Sequence, residues 1–111
     1  ETQRMFLLDA LKDSAAAEAE TQTIMTAWQV GDTKTLAELQ LELMNETPEL
    51  GDALFTRRNR NWVPQIVELT KQQQNYLVIV GAMHLAGRNS VLELLEAEGL
   101  KVRQVSVSPS D

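Results

Sequence analysis

The sequence has 111 residues, 43% of them apolar and 23% charged, with a formal charge of −6 and no cysteine. That composition suits one globular domain with a modest core, and it excludes a disordered chain, disulfides, thiolate zinc sites and cysteine nucleophiles. The acidic balance gives no general attraction for phosphate backbones, so nucleic acid is not an expected partner.

In chain order, residues 4–28 predict a first helix. Met5, Leu8, Leu11, Ala15, Ala19, Ile24 and Trp28 roughly follow the three-to-four spacing of one apolar face. Gly31-Asp32 ends it, and Asp32 can cap a second helix over 33–45, where Leu36, Leu39 and Leu43 align. Thr47-Pro48 reads as a restart, with Thr47 as cap and proline at the first helical position. The third helix runs to about Arg60. Pro64 then favours a break, with Asn61 capping a fourth helix to about Gln72. The run Lys71-Gln72-Gln73-Gln74-Asn75 reads as a solvated helix end.

Beyond it the pattern changes. Tyr76-Leu77-Val78-Ile79-Val80 is a short β-branched run without alternation, the signature of a parallel strand covered on both faces. Ser90-Val91-Leu92-Glu93 is a capping-box pattern opening a helix that Gly99 terminates. Val102, Val105 and Val107 suggest a second strand. The expected fold class is therefore α/β: a helical segment over 1–74 followed by a βαβ unit over 75–111. Two parallel strands do not make an independent sheet. The expectation is a fragment of a larger sheet, completed by a missing N-terminal half or by another copy, with homo-oligomerisation by segment exchange when alone. The start at Glu1 rather than at methionine also suggests an upstream segment.

Three positions stand out chemically. His84, the only histidine, lies in Gly81-Ala82-Met83-His84-Leu85-Ala86-Gly87, just after the expected strand, where open α/β sheets bind ligands. A neutral imidazole there can hold a metal or act as a general base, or it can be satisfied structurally by a backbone carbonyl. Gly81 and Gly87 permit unusual backbone angles or close approach of a ligand. One histidine does not make a metal site. On a continuous helix, Leu50, Leu54, Arg58, Trp62, Ile66 and Leu69 fall on nearly one line, which puts the Arg58 charge in an apolar stripe. There it would pair with a carboxylate or anionic ligand, or extend its charge to solvent. Asn59 adds a donor and acceptor beside it. Arg57 and Arg60 read as solvated. Trp28, Trp62, Met5, Met25 and Met44 read as core or helix-contact residues, and Met83 as lining a pocket or plugging the sheet.

Leu54-Phe55-Thr56-Arg57-Arg58-Asn59-Arg60-Asn61-Trp62, then Val78-Ile79-Val80-Gly81-Ala82-Met83-His84-Leu85-Ala86-Gly87, then Leu94-Leu95 and Gly99-Leu100-Lys101-Val102, resemble the C-terminal half of the TraB/GumN family, which includes the Tiki-type proteases. Trp28-Gln29-Val30-Gly31-Asp32 and Leu36 resemble its helical middle region. The resemblance implies an erythromycin-esterase/ChaN-like α/β fold with two Gly-x-x-His motifs and, in Tiki-type members, metal-dependent proteolysis. The second motif matches Gly81 and His84, and the family's Arg-Asn pair matches Arg58 and Asn59. The first motif and its acidic companion are absent from this sequence.

For function, the resemblance implies a metal-dependent, peptidase-like hydrolase. His84 would be a metal ligand or would orient metal-bound water, and Arg58 and Asn59 would bind substrate or stabilise the oxyanion. The divalent metal, of unknown identity, is expected only in the full-length protein and not bound tightly by this chain alone, which is expected to be inactive by itself. The substrate would be a peptide or small molecule, and family members suggest an extracytoplasmic location. The alternatives are a non-catalytic module binding haem or a small anion, and a protein-interaction module.

Overall fold

The computed structural model describes residues 1–12 and 14–106. Its elements are α1 (Thr2–Lys12), α2 (Ser14–Val30), α3 (Thr33–Glu46), α4 (Pro48–Gly51), a π-helical segment (Asp52–Thr56), α5 (Arg57–Thr70), a 3-10 turn (Ala82–Leu85) and α6 (Val91–Ala97). The stretch expected as one helix over 4–28 is thus covered by two.

Local chemistry accounts for most boundaries. Gly31, at φ +73°, closes α2. Asp32 then caps α3: one carboxylate oxygen accepts from the Thr35 N–H at 3.1 Å and the other from the Thr35 hydroxyl at 2.6 Å. Those hydrogen bonds hold the Asp32 carboxyl below its ordinary 3.8. Pro48 starts α4 at a position where no N–H is needed. Thr47 does not cap it, because its hydroxyl donates back to the Leu43 carbonyl at 3.1 Å and so finishes α3 instead. At α6, Ser90 Oγ accepts from the Glu93 N–H at 3.1 Å, and the Glu93 carboxylate accepts from the Asn89 N–H at 3.2 Å. This is a reciprocal cap shifted by one residue from the usual box.

From Pro48 to Thr70 the chain is one rod. Gly51, Asp52, Thr56 and Arg57 at its junctions all have right-handed helical angles. The predicted break at Pro64 does not occur, and Pro64 lies inside α5. Arg60, whose carbonyl would have accepted from residue 64, is exposed, as is Pro64 itself, so water can replace the lost hydrogen bond. The interruption that does matter is the π segment, where the Arg57 N–H donates to Asp52, five residues back. The extra residue shifts the buried face. Gly51, Thr56, Asn59 and Val63 are buried, whereas Leu54 and Arg58 are exposed. The apolar stripe expected through Leu50, Leu54, Arg58 and Trp62 is therefore out of register with the face the rod buries.

The α/β expectation is overturned. Among the described residues there is no strand, and neither Tyr76–Val80 nor the stretch around Val102 and Val105 forms a ladder. Val107 lies outside the described residues. The architecture is helical. A β-branched run expresses a backbone preference, but a strand also needs a neighbour to exchange hydrogen bonds with. Here no described segment supplies one, and Leu77 and Ile79 are more than four-fifths exposed. Trp28, Met5 and Met25, expected as core or contact residues, also present large areas to solvent.

Two small cores remain. In one, Ala27 of α2 and Leu36 of α3 enclose Ala86, with Ile24, Ala37, Ala82 and Met83 around them. In the other, Val63 of α5 meets Val91 and Leu95 of α6, flanked by Trp62, Ile66, Val67, Leu94, Leu100 and Val102. The first fixes the 82–86 turn on α3 and the second docks α5 on α6. No helix among the described residues is long and apolar enough to cross a membrane.

Candidate functional site

His84 sits at the end of the 3-10 turn and is 6% exposed. Its ring packs between two aromatics of the rod, edge-on to Phe55 with centroids 5.2 Å apart, and tilted against Trp62 at 4.7 Å. Its Nδ1 lies 2.6 Å from Oδ1 of Asn59. Asn59 is completely buried, and its amide Nδ2 donates to the Asn89 carbonyl at 2.9 Å.

These distances determine the tautomer. A carbonyl oxygen only accepts, so the Asn59 edge facing Asn89 must be the NH2, and the edge facing His84 must be the oxygen. That oxygen in turn requires a proton on Nδ1. The neutral ring therefore carries its lone pair on Nε2. Nε2 has no hydrogen-bond partner among the described residues and is not a sealed buried atom. The adjacent Cδ2 faces Gly81, where a Cβ would stand 3.6 Å away. His84 and Gly81 both line a cleft of about 490 Å³ between α5 and residues 78–81, a size ordinary for a small-ligand site.

Arg58 lines the same cleft. It is not buried in an apolar stripe; it is exposed, with its guanidinium carbon 4.9 Å from the Trp62 ring centroid, a cation–π stack. Among the described residues no carboxylate pairs with it, whereas Arg57 pairs with Asp52 at 3.0 Å. Burial, and next the positive charge of Arg58, push the His84 pKa below its ordinary 6.5. At neutral pH Nε2 is therefore unprotonated.

The structure thus brings Arg58, His84 and Gly81 to one cleft and puts Asn59 behind them. Both ends of the Asn59 amide are occupied by protein, so it acts on His84 and does not face the cleft. Two supports of the site, Phe55 and Asn89, do not stand out in the sequence. Phe55 is one apolar residue among several in its helix, and nothing local marks it as a partner of the histidine. A signal for Asn89 exists, because an asparagine just before an N-cap suits the left-handed conformation it adopts at φ 58°. Gly81 has an ordinary φ of −63°, so it supplies space beside His84 and no special backbone angle.

Gly87 does need its backbone, at φ +82°, and a Cβ there would collide with the side chain of Gln40. Gln40 is buried and donates to the Arg88 carbonyl at 3.1 Å. We expect Gly87→Ala to lower stability by about 2 kcal/mol, from left-handed strain plus displacement of Gln40. Urea titration with an unchanged m-value checks it, and a loss under about 0.5 kcal/mol would show that the turn yields freely.

The helical scaffold thus holds a buried histidine by one nitrogen at the wall of a cleft and leaves the other nitrogen without a hydrogen-bond partner among the described residues. The chain belongs to the TraB/PrgY/gumN family, whose family model matches residues 1–104. It is similar to a protein of Amphimedon queenslandica described as a metalloprotease TIKI homolog, with 36% identity over 70 residues. That match covers 61% of this chain and 13% of the relative's length. No solved structure matches the chain significantly.

A divalent metal would find one donor here, His84 Nε2. Among the described residues no group of three or more His, Cys, Asp or Glu side chains is placed to hold an ion. These residues alone do not fit a metal centre.

Proposed function

We propose that this chain carries the histidine part of a peptidase-like hydrolase site, with His84 Nε2 as the working atom. The observation that carries the reading is the Asn89–Asn59–His84 relay, which leaves a bare, partnerless lone pair facing a cleft. Family membership and the metalloprotease description of the relative support the reaction class. In the reaction, water oxygen bonds to the peptide carbonyl carbon while Nε2 takes a water proton. That proton passes to the departing amine as the C–N bond breaks, and the carboxylic acid and amine are released. The Arg58 guanidinium stands at the cleft to bind an oxygen of the substrate.

The pH profile tests this. Peptide hydrolysis by the intact protein should show an acid limb in kcat/KM centred below 6.5 and coincident with the NMR titration of His84, because only the neutral ring is a base. Arg58→Gln, by removing the nearby positive charge, should move that limb upward. Stability should follow the same group. A lowered folded pKa means that the unfolded chain binds the proton first, so stability is full above about 6.5 and falls as pH drops towards the folded value. An intact protein that hydrolyses no peptide, or an acid limb unconnected with the His84 titration, would sink the proposal.

A further inference from the structure

We propose that the cleft recognises the carboxy-terminal residue of a peptide, with the carboxylate on Arg58, an apolar side chain against Ile66, Leu69 and Val78, and its amide N–H on His84 Nε2 in the resting complex, where the attacking water takes its place before the proton transfer. The peptide class rests on the function proposed above; the terminal recognition rests on three features of the cleft.

First, Arg58 is a cation without a carboxylate partner among the described residues, and stacking on Trp62 restrains its guanidinium. A guanidinium held this way presents its donors to a planar anion, and a carboxylate matches it with two parallel hydrogen bonds. Second, the neutral His84 ring offers an acceptor at Nε2, because Asn59 fixes the proton on Nδ1. A bare carboxylate would be repelled there, so the second ligand group must be a donor. Third, the rest of the cleft wall is mostly aliphatic: Ile66, Leu69, Val78 and Ile79 line it beyond Trp62, with Gln65 as the polar exception. A carboxylate, a neighbouring N–H and an apolar side chain on the carbon between them are together the last residue of a peptide.

The test compares N-acetyl-leucine with N-acetyl-leucinamide, and with acetate as the anion alone, titrated into the intact protein and followed by NMR at His84 and the Trp62 indole. The acid should bind about 10-fold or more tighter than the amide, in line with a charge-assisted pair, and also tighter than acetate. Arg58→Gln should erase the preference for the acid, lowering its affinity to about that of the amide. Its side chain is exposed, so loss of the fold does not confound the result. Equal binding of acid and amide, acetate binding as well as N-acetyl-leucine, a preference that survives Arg58→Gln, or no binding at all would overturn the proposal. Failure of the two readings is distinguishable. Hydrolysis indifferent to amidation of the substrate's terminus refutes terminal recognition alone, and acid-selective binding without hydrolysis refutes the peptidase reading alone.

Discussion

His84→Asn is expected to lower kcat/KM for peptide hydrolysis by about 10²–10⁴-fold, the range associated with a positioned acid–base group. Asparagine is the informative replacement. Its amide nitrogen falls near the position of Nδ1 and can still donate to Asn59 Oδ1, so the buried hydrogen bond survives. It lacks any atom at Nε2. His84→Ala would also empty the space between Phe55 and Trp62 and leave the Asn59 oxygen unpaired, mixing catalysis with stability. Circular dichroism melting alongside the kinetics separates the two effects. A folded His84→Asn protein that keeps more than a tenth of the wild-type kcat/KM would remove His84 from the chemistry.

The second large effect belongs to Asn59. Asn59→Ala should destabilise the protein by about 2–3 kcal/mol, because it strands the buried His84 Nδ1–H and the half-buried Asn89 carbonyl at once, a fully buried group being worth about 1–3 kcal/mol when unpaired and the Asn89 carbonyl less. The imidazole would also lose the constraint on its tautomer, and a proton could settle on Nε2. Imidazole nitrogen chemical shifts read that directly, and urea titration reads the stability. Asn59→Asp is the companion experiment. A carboxylate beside Nδ1–H stabilises the imidazolium, so the His84 titration should move upward, while the Asn89 carbonyl loses its donor. A stability loss below about 1 kcal/mol in Asn59→Ala, with the tautomer unchanged, would show that Asn59 fills space and does not orient the ring.

Part of this arrangement is legible in the sequence. The turn bearing His84, the Ser90–Glu93 cap and the Asp32 cap are local patterns whose partners lie within a few residues, and periodicity and side-chain chemistry find such features. Arg58 and Asn59 stand out as residues, but the role of Asn59 is not readable, because the contacts that define it span 25 and 30 residues. The α/β expectation fails at Tyr76–Val80 for a related reason. A continuous apolar run says that its faces need cover, and says nothing of what supplies it. Pro64 misleads in the other direction, since a proline on a solvated face interrupts hydrogen bonds without ending the helix.

The π segment explains the misplaced apolar stripe. No residue pattern marks a five-residue turn, yet this one makes a single rod keep two phases. Upstream of it, Gly51 is packed beneath Met44 of α3. Downstream, Asn59 and Val63 face His84 and α6. An uninterrupted α-helix could aim only one of these sets correctly, because one residue of offset is a rotation of about 100°. Because α3 grips both α4 and the His84 turn, the rod cannot turn to compensate. Asp52–Thr56 therefore works as a vernier: a fixed correction in angle, built into the chain, that lets the helical body and the histidine cleft be aligned on the same axis.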